Sequence, residues 1–445
     1  MLSTRGQISA QPSSRPPMLD IVSNLWHPEL NPGGFVSLGV AENTLMHQEL
    51  SDFIAKAPPV TSHPLTYGDG FAGSHKLRKV ISTFVNKKFS PESPVQASQV
   101  LVTNGLGPAI EACAFTLCDP GDGILLSRPW YGSFPSDVAA RAKAQIVPVS
   151  FGAVEPFSID AVGVYERALL QARKQGIRVR AMILCNPHNP LGRCYEPHVL
   201  KEYMRFCGKH DLHLLSDEIY ALSVWNNPDA RGAPGFTSVL SLPSEGLMDP
   251  ALLHVLWGMS KDFGANGIRL GCVISQRNPD FLHALEANSY FTCPSALSDL
   301  ATTSVLADEG FVASYIETNK ARLEARYATT KDFLEANGIP YATGVNAGFF
   351  VWVNLFALFA ISQGTSSDDL WALQDRLHNT LLEEKVFLAS GSVFGSDVPG
   401  WFRIVFAHEE GLLLEGFARI KRAIDRFHHT LSEPASIPIE RLSLE

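Results

Sequence analysis

The sequence lacks three features that would each indicate a particular class of function. It has no stretch of about 20 uncharged apolar residues, so no membrane-spanning helix is predicted. It has no excess of basic residues: the formal net charge is -9, which gives no electrostatic reason to bind nucleic acid or an anionic membrane. Its N-terminus does not join a basic segment to an apolar one, as signal peptides do. These absences favour a cytoplasmic protein that acts on a small molecule.

Cysteine is sparse and has no recognisable spacing. The seven cysteines are odd in number and lack the short paired spacings of zinc sites and redox motifs, so reduced, buried thiols are expected and no metal site is predicted. Hydrophobic residues make up 45% of the chain and charged residues 18%, a balance typical of compact enzymes. With 445 residues the chain exceeds the size at which one core stops growing, so two packed lobes are expected.

The order of short apolar runs predicts an α/β fold. Between residues 100 and 275, such runs alternate with helix-length segments, which is the pattern of βαβ units and a mostly parallel sheet. The seven predicted strands are residues 100–103, 123–127, 145–150, 181–185, 212–216, 254–258 and 271–275.

The two ends of the chain have a different character. Residues 1 to about 30 are rich in Ser, Pro and Gln and are predicted to be a mobile arm without a fold of its own. Beyond residue 289, helices predicted at 317–337 and 409–430 surround strands predicted at 349–354 and 402–407. This pattern indicates a second, smaller α+β lobe.

Polar motifs follow the predicted strands, at the edge where ligands bind in open α/β sheets. Residues 103–109 (TNGLGPA) lead into a helix whose free N–H groups could hold a phosphate, although a plain tight turn fits the motif equally well. Tyr131 could stack on a heteroaromatic ring or pack in the core. Residues 186–192 (NPHNPLG) contain two prolines that constrain Asn189 as a hydrogen-bond donor.

Four charged residues carry the strongest chemical signal. Asp217 ends a predicted strand, with Tyr220 three residues later, and a buried Asp217 would need a cation such as a protonated pyridine nitrogen. Lys261, in a Ser-Lys-Asp motif, could form an imine with an aldehyde cofactor instead of being a solvated lysine. Arg269, in a Gly-x-Arg-x-Gly pattern, could bind a phosphate dianion. Arg403 interrupts an apolar strand and needs either a substrate carboxylate or an internal salt bridge.

Together these motifs resemble fold type I pyridoxal 5'-phosphate (PLP) enzymes of the aminotransferase class I/II family, over roughly residues 35–430. Within that family the sequence is most similar to 1-aminocyclopropane-1-carboxylate (ACC) synthase and ACC-synthase-like proteins. The motifs that carry this similarity are residues 38–43 (LGVAEN), 186–192, 260–262 (SKD) and 399–407 (PGWFRIVFA).

The resemblance implies the aspartate aminotransferase-like fold of PLP-dependent transferases. In this arrangement the large PLP-binding domain, with its mostly parallel seven-stranded sheet, comprises residues 67–290. The N-terminal part of the small α+β domain is residues 35–66 and its C-terminal part is residues 291–445. Residues 1–34 form a flexible arm.

The resemblance also implies a role for the residues around the cofactor ring. Lys261 is the point of covalent attachment and the proton shuttle, and Asp217 is the partner of the pyridine nitrogen. Asn189 and Tyr220 donate hydrogen bonds to the cofactor's O3′ atom, and Tyr131 stacks on the ring.

At the other end of the cofactor, the resemblance implies that Arg269 binds the phosphate with Ser260 and the backbone N–H groups of Leu106 and Gly107. Tyr67 lies where the family often supplies a tyrosine to the phosphate of the neighbouring subunit. A homodimer with active sites at the subunit interface is therefore expected.

The implied substrate is a small amino acid. Arg403 is expected to bind its carboxylate, with Asn189 and Val40 nearby. Glu42 corresponds to an acidic residue that lies near the leaving-group end of the substrate in ACC synthase, although an exposed loop carboxylate is the alternative interpretation.

Two departures from the family pattern affect these expectations. Gly258 replaces a hydroxyl residue that often helps to hold the phosphate, which suggests a modified phosphate site. Residues 68–71 (GDGF) replace an aromatic-rich stretch of ACC synthases, which puts recognition of S-adenosylmethionine in question.

The expected reaction begins with breakage of the Cα–H bond of a PLP-bound amino acid. The first expectation is an ACC-synthase-like carbon–sulfur lyase that eliminates at Cβ or Cγ of a thioether or sulfonium amino acid. The alternative is an aminotransferase that moves an amino group between an L-amino acid and a 2-oxo acid. A non-catalytic ligand-binding module is a third hypothesis, which the full set of cofactor residues and the lack of a helix-turn-helix domain before residue 35 disfavour.

Overall fold

The computed structural model describes residues 1–11, 18–57, 60–362 and 364–432. The α-helices in these residues are α1 (Thr4–Ser9), α2 (Met18–Val22), α3 (His47–Ala55), α4 (His75–Lys88), α5 (Leu106–Leu117), α6 (Phe134–Ala139), α7 (Asp160–Lys174), α8 (Pro197–His210), α9 (Met259–Asp262), α10 (Pro279–Ala287), α11 (Ala296–Ala307), α12 (Glu309–Ala336), α13 (Ser367–Glu383) and α14 (Glu410–Ser432). The strands are β1 (Val36–Ser37), β2 (Val100–Thr103), β3 (Gly123–Ser127), β4 (Gln145–Val149), β5 (Val179–Cys185), β6 (His213–Asp217), β7 (Leu253–Gly258), β8 (Gly271–Ile274), β9 (Phe350–Asn354), β10 (Val386–Phe387), β11 (Ala389–Ser390) and β12 (Trp401–Val405).

A seven-stranded sheet forms the centre of the large domain, in the order β2-β8-β7-β6-β5-β3-β4. The pairs among β3 to β7 are parallel, and β8 runs antiparallel to both of its neighbours. All seven predicted strands are present, with ends within two residues of the prediction. Inner strands such as β7 are buried at every residue, because helices cover both faces of the sheet. The continuous apolar runs of the sequence reflect this burial.

The register of the sheet brings the polar motifs to one edge. Cys185 at the end of β5 pairs with Asp217 at the end of β6, and Asp217 pairs with Leu256 near the end of β7. Across the antiparallel pair, Thr103 at the end of β2 lies opposite Gly271 at the start of β8. The segments after β2, β5, β6 and β7 therefore lie beside the segment that precedes β8.

The small domain contains an antiparallel sheet in the order β11-β12-β9 and a parallel pair formed by β1 and β10. The β1–β10 pair joins the segment after the N-terminal arm to the C-terminal part of the chain. Helix α12 begins eight residues before its predicted start, because the Asp308 side chain caps it by accepting a hydrogen bond from Phe311 N at 2.8 Å.

The N-terminal arm differs from its prediction. Helices α1 and α2 form in the stretch that was predicted to have no fold of its own, and Ser3 caps α1 by accepting a hydrogen bond from Gly6 N at 3.2 Å. Ile21 of α2 is buried. Residues 12–17, which belong to the Ser- and Pro-rich segment behind that prediction, lie outside the described residues.

Six of the seven cysteines are buried thiols, as predicted, and Cys293 is partly exposed. No helix within the described ranges is long and apolar enough to cross a bilayer. The seven thiols are all free, so no disulfide contributes to the stability of the described fold.

Two histidines pair within the sheet. His213 Nδ1 lies 2.9 Å from His254 Nε2, and His254 Nδ1 lies 2.9 Å from Ser275 Oγ. Burial lowers the pKa of His254 to about 3 and that of His213 to about 4. An unfolded chain binds these protons near pH 6.5, so the folded state is stabilised above that pH and loses this stability as the pH falls.

We expect the substitution His254→Gln to reduce the acid sensitivity of the fold. For a single histidine buried in its neutral form, lowering the pH from 7 to 5 costs about 2 kcal/mol of stability. Urea denaturation of wild type and variant at both pH values measures this difference. The exposed His198 supplies a matched control, since His198→Gln should keep the wild-type pH dependence. An unchanged pH dependence in His254→Gln would contradict the assignment.

Candidate functional site

A cavity of about 600 Å³, lined by residues of both domains, lies at the edge of the sheet where the motifs converge. Eleven of the thirteen site residues predicted from the sequence line this cavity. The eleven are Val40, Leu106, Gly107, Tyr131, Asn189, Asp217, Tyr220, Ser260, Lys261, Arg269 and Arg403. The structure therefore brings together side chains that are up to 363 positions apart in the chain.

Lys261 lies on α9, directly after β7, and its Nζ atom donates a hydrogen bond to the Ala41 carbonyl oxygen at 2.5 Å. Burial, with a smaller contribution from the nearby Arg403, lowers the pKa of Lys261 to about 7, while the carboxylate of Glu42 acts in the opposite direction. A substantial fraction of this amine is therefore uncharged at neutral pH. The uncharged amine is the form that attacks an aldehyde.

A buried carboxylate holds the short helix that carries Lys261. The Asp262 side chain accepts hydrogen bonds from Trp257 Nε1 at 3.0 Å, Ser223 Oγ at 2.8 Å and Leu222 N at 3.1 Å. These contacts join α9 to its own strand, β7, and to the loop after β6. Because that loop follows Asp217, the network keeps the lysine and Asp217 in a fixed relation.

Asp217 is buried at the end of β6, where its carboxylate accepts a hydrogen bond from Ile219 N at 3.1 Å. Burial raises its pKa to about 7, and Lys261 offsets only part of this effect. No ion pair to Asp217 is present within the described residues. A cationic ligand would bring the pKa back down and would itself be kept protonated. A protonated pyridine nitrogen fits this requirement.

Arg403 is a buried cation in β12. Its Nη1 atom donates to Asn189 Oδ1 at 2.9 Å and its Nη2 atom donates to the Gly39 carbonyl oxygen at 2.7 Å. Its Nε atom has no partner in the described parts of the chain, and the guanidinium lies against the rings of Phe350 and Phe394. None of its described contacts is a carboxylate, so the alternative of an internal salt bridge is not observed there. A carboxylate ligand would supply the missing anion.

The opposite end of the cavity has the features of a phosphate site. Leu106 and Gly107 begin α5, where backbone N–H groups have no partner within the helix. Gly105 precedes them with a φ of 114°, and a Cβ atom at that position would overlap the guanidinium of Arg269. Arg269 itself has a φ of 54° and donates from Nη1 to the Asn266 carbonyl oxygen at 3.0 Å. A guanidinium and free N–H groups therefore face the same space.

Two tyrosines complete the wall of the cavity. Tyr220 is 2% exposed, and its ring packs edge-on against Phe349 and Phe350. Tyr131 is half-buried and packs edge-on against Phe134, with 5.2 Å between the two ring centroids. Burial raises the pKa of both phenols, so each remains a hydrogen-bond donor at neutral pH. Tyr131 therefore contributes to packing while it also lines the cavity.

Glu42 does not line this cavity. It lines a neighbouring cavity of about 610 Å³ together with His47, Ile54 and Ile268, and Asn266 lines both cavities. The Glu42 carboxylate has no hydrogen bond or ion pair within the described residues, although its charge raises the pKa of Lys261.

Tyr67 also lies away from the cavity of its own chain. It is 79% exposed, and its ring centroid lies 5.5 Å from that of Phe71, which in turn lies 5.1 Å from that of Tyr290. These rings form an exposed aromatic patch. A single copy of the chain does not bring Tyr67 to the phosphate end of its own cavity.

Sequence reasoning missed three parts of the site. The carbonyl groups of Gly39 and Ala41 bind Arg403 and Lys261, but backbone acceptors leave no signal in residue type. The Asp262 network was missed because its partners are distant in sequence. The wall formed by His378, Phe387, Val393 and Phe394 was missed because most of its residues are apolar and carry no chemical signal.

The residues present fit PLP. The partnerless Arg403 Nε atom calls for an anion, the isolated Asp217 calls for a cation, and the space beside Gly105 is bounded by the guanidinium of Arg269 and free N–H groups. Lys261 adds an amine that is partly uncharged. Phosphate, pyridine nitrogen and aldehyde each have a complementary group in the cavity.

Comparison with known proteins agrees with this geometry. Residues 34–420 match the family described as aminotransferase class I and II. The probable aminotransferase tcpI of Claviceps purpurea is 33% identical, over 89% of this chain and 90% of its own length. ACC synthase 2 of Cucurbita pepo is 31% identical, over 87% of this chain and 77% of its own length. The probable inactive ACC synthase-like protein 2 of Mus musculus is 32% identical, over 92% of this chain and 68% of its own length.

Among solved structures, a mutant aspartate aminotransferase of Thermus thermophilus complexed with tryptophan superimposes with a TM-score of 0.72 and 21% identity. The match covers 95% of this chain and 99% of that chain. At this identity the likeness concerns the fold, and it confirms the predicted aspartate aminotransferase-like architecture.

We expect the substitution Gly105→Ala to weaken PLP binding at least about tenfold, because its φ and ψ of 114° and 170° suit only glycine and a Cβ atom would displace Arg269. Titration of the apoenzyme with PLP, followed by absorbance, measures the dissociation constant. Gly121→Ala is the matched control: Gly121 also has a positive φ, of 90°, but a Cβ atom there meets nothing within 4 Å. Unaltered PLP affinity in Gly105→Ala would count against the phosphate assignment.

Proposed function

Because the chain belongs to the aminotransferase class I and II family, we propose that it is an ACC-synthase-like carbon–sulfur lyase with a thioether or sulfonium amino acid as substrate. Its cofactor is PLP. The observation that carries the proposal is the unpaired Glu42 carboxylate, which lines a second cavity and whose charge raises the pKa of Lys261. The likeness to ACC synthase 2 of Cucurbita pepo gives further support.

Four residues of the main cavity bind the substrate and the cofactor ring in this proposal. Arg403 binds the substrate carboxylate with a planar fork of donors, and the hydrogen bond from its Nη1 atom fixes the amide of Asn189. With its Oδ1 atom engaged, Asn189 presents its NH₂ group as a donor to the cofactor, next to the phenol of Tyr220. Asp217 keeps the pyridine nitrogen protonated.

Lys261 is the base of the proposed reaction. PLP supplies an electron sink that makes the Cα–H bond of a bound amino acid acidic. The lowered pKa of Lys261 leaves its Nζ atom free to accept that proton near neutral pH. Glu42 would stabilise the positive charge of a bound sulfonium, which departs as a neutral thioether when the C–S bond breaks, because opposite charges attract strongly in a half-buried site.

A homodimer and a cytoplasmic location belong to the same proposal. Leu65, Tyr67, Tyr290, Phe291 and Leu297 are exposed by 59–79%, and a second copy of the chain would cover such a patch. In that dimer Tyr67 would reach the phosphate of the neighbouring subunit. The seven free thiols suit a reducing compartment.

Two other functions remain as alternatives. An aminotransferase is favoured by the likeness to tcpI, which is named a probable aminotransferase. A non-catalytic module is suggested by the mouse relative that is named probable inactive. The convergence of Lys261, Asp217 and Arg403 on one cavity favours catalysis over the second alternative.

We expect the purified holoenzyme to release a sulfur product from a thioether or sulfonium amino acid. S-adenosylmethionine, S-substituted cysteines, and an amino acid with 2-oxoglutarate are supplied separately, and mass spectrometry identifies the products. Pyruvate and ammonia indicate β-elimination, and a cyclised amino acid indicates displacement of sulfur from Cγ with ring closure. Formation of glutamate without sulfur release would reject the lyase in favour of the aminotransferase, and no product from any substrate would favour the non-catalytic module.

The variant Glu42→Gln tests the part assigned to the carboxylate. Its KM for cationic substrates should rise about tenfold, because removing the charge of a partly buried partner costs more than 1 kcal/mol, while neutral thioethers should be affected little. Glu286→Gln, at an exposed position, is the matched control.

A further inference from the structure

One wall of the main cavity has no part in the proposed mechanism. It is formed by Met18, His378, Phe387, Val393 and Phe394, and we refer to it as the distal wall. The wall is apolar apart from the imidazole of His378.

The distal wall lies next to the guanidinium of Arg403. Arg403 is 4.8 Å from the ring centroid of Phe394 and donates to the Gly39 carbonyl oxygen at 2.7 Å. A Cβ atom at Gly39 would come within 2.6 Å of the Phe387 ring, whose centroid lies 6.1 Å from that of His378. Contacts therefore lead without interruption from the proposed carboxylate site to His378. A substrate side chain that extends away from Arg403 along this wall would approach His378.

His378 has one engaged ring nitrogen and one free ring nitrogen. The Leu388 carbonyl accepts a hydrogen bond from the imidazole, whereas Nε2 is buried and has no partner within the described residues. Nδ1 is therefore the donor to Leu388. Burial lowers the pKa of His378, so the ring is neutral at physiological pH and Nε2 carries an unshared electron pair.

Gln374, a neighbouring polar residue on the same face of α13, has hydrogen-bond partners for both polar atoms of its side chain. Gln374, one turn earlier in α13, donates to Ser390 Oγ at 2.8 Å and accepts from Gly400 N at 2.6 Å. His378 uses only its Nδ1 atom in this way. A buried acceptor without a donor costs stability, so a ligand that supplies the donor would gain affinity from it.

We propose that the distal wall is the subsite for the part of the substrate side chain beyond its sulfur atom, and that His378 Nε2 accepts a hydrogen bond from the end of that side chain. The preferred substrate is then an amino acid with an apolar stem and a terminal hydroxyl or amino group, and not one that ends in a carboxylate. This inference rests on the proposed function, because it assumes that an amino acid binds through Arg403.

The test compares two thioether amino acids of nearly equal shape. S-(2-hydroxyethyl)-L-cysteine ends in a hydroxyl group where S-propyl-L-cysteine ends in a methyl group. The absorbance change of the bound cofactor, recorded by stopped flow before turnover, gives a dissociation constant for each. We expect the wild-type holoenzyme to bind the hydroxyethyl compound about tenfold more tightly, because the methyl compound leaves Nε2 without a donor. Equal affinities in the wild type would overturn the inference without any variant.

The variants identify the residue responsible. In His378→Leu the two compounds should bind about equally well, mainly because the hydroxyethyl compound binds more weakly. His378→Gln should retain part of the preference for the hydroxyethyl compound, because its amide oxygen can accept the hydrogen bond. His198→Leu changes an exposed histidine of α8 and should keep the full preference. PLP content and the thermal midpoint confirm that each variant is folded. A tenfold preference that persists in His378→Leu would overturn the assignment to His378.

The outcomes separate this inference from the proposed function. A hydroxyl preference that depends on His378, without sulfur release, would reject the lyase and leave the subsite in place. Sulfur release without any preference would reject the subsite and leave the lyase. No spectral response to any amino acid would reject both.

Discussion

Two buried groups of opposite charge, the carboxylate of Asp217 and the guanidinium of Arg403, lack ionic partners in the described parts of the chain, and the rest of the site depends on them. Each would be costly to bury in isolation, so the cavity is complementary to a ligand that carries both a cation and an anion. A pyridinium cofactor together with an amino acid carboxylate provides this pair. Lys261 lies in the field of both groups, and burial together with Arg403 lowers its pKa towards neutrality.

The scaffold keeps these charges in place with contacts that do not neutralise them. Asp217 ends a strand in the middle of a seven-stranded sheet, so its backbone is fixed on both sides by β5 and β7. Arg403 lies in the central strand of the small sheet and is held by an amide and a backbone carbonyl. The small domain thus supplies the cation and the large domain the anion. The proposed substrate binds where the two domains meet.

The sheet and most of the site were predictable from the sequence, for identifiable reasons. Strands buried on both faces read as continuous apolar runs, and Asp217 and Lys261 were found because each directly follows such a run. Arg403 was visible as one charge in an apolar strand. The placement of Glu42 in a second cavity and the role of His378 were not predictable, because both depend on how distant segments pack. The helices of the N-terminal arm were not predicted because its Ser-, Pro- and Gln-rich composition was given more weight than Ser3, whose side chain caps the first helix.

The most direct test of the central claim compares the affinity of the apoenzyme for PLP with its affinity for the 1-deaza analogue, in which carbon replaces the pyridine nitrogen. The analogue retains the phosphate and the aldehyde but cannot supply a cation to Asp217. The account predicts that PLP binds at least about tenfold more tightly, since a buried carboxylate left without its charged partner costs more than 1 kcal/mol. Equal affinities for the two compounds would contradict it.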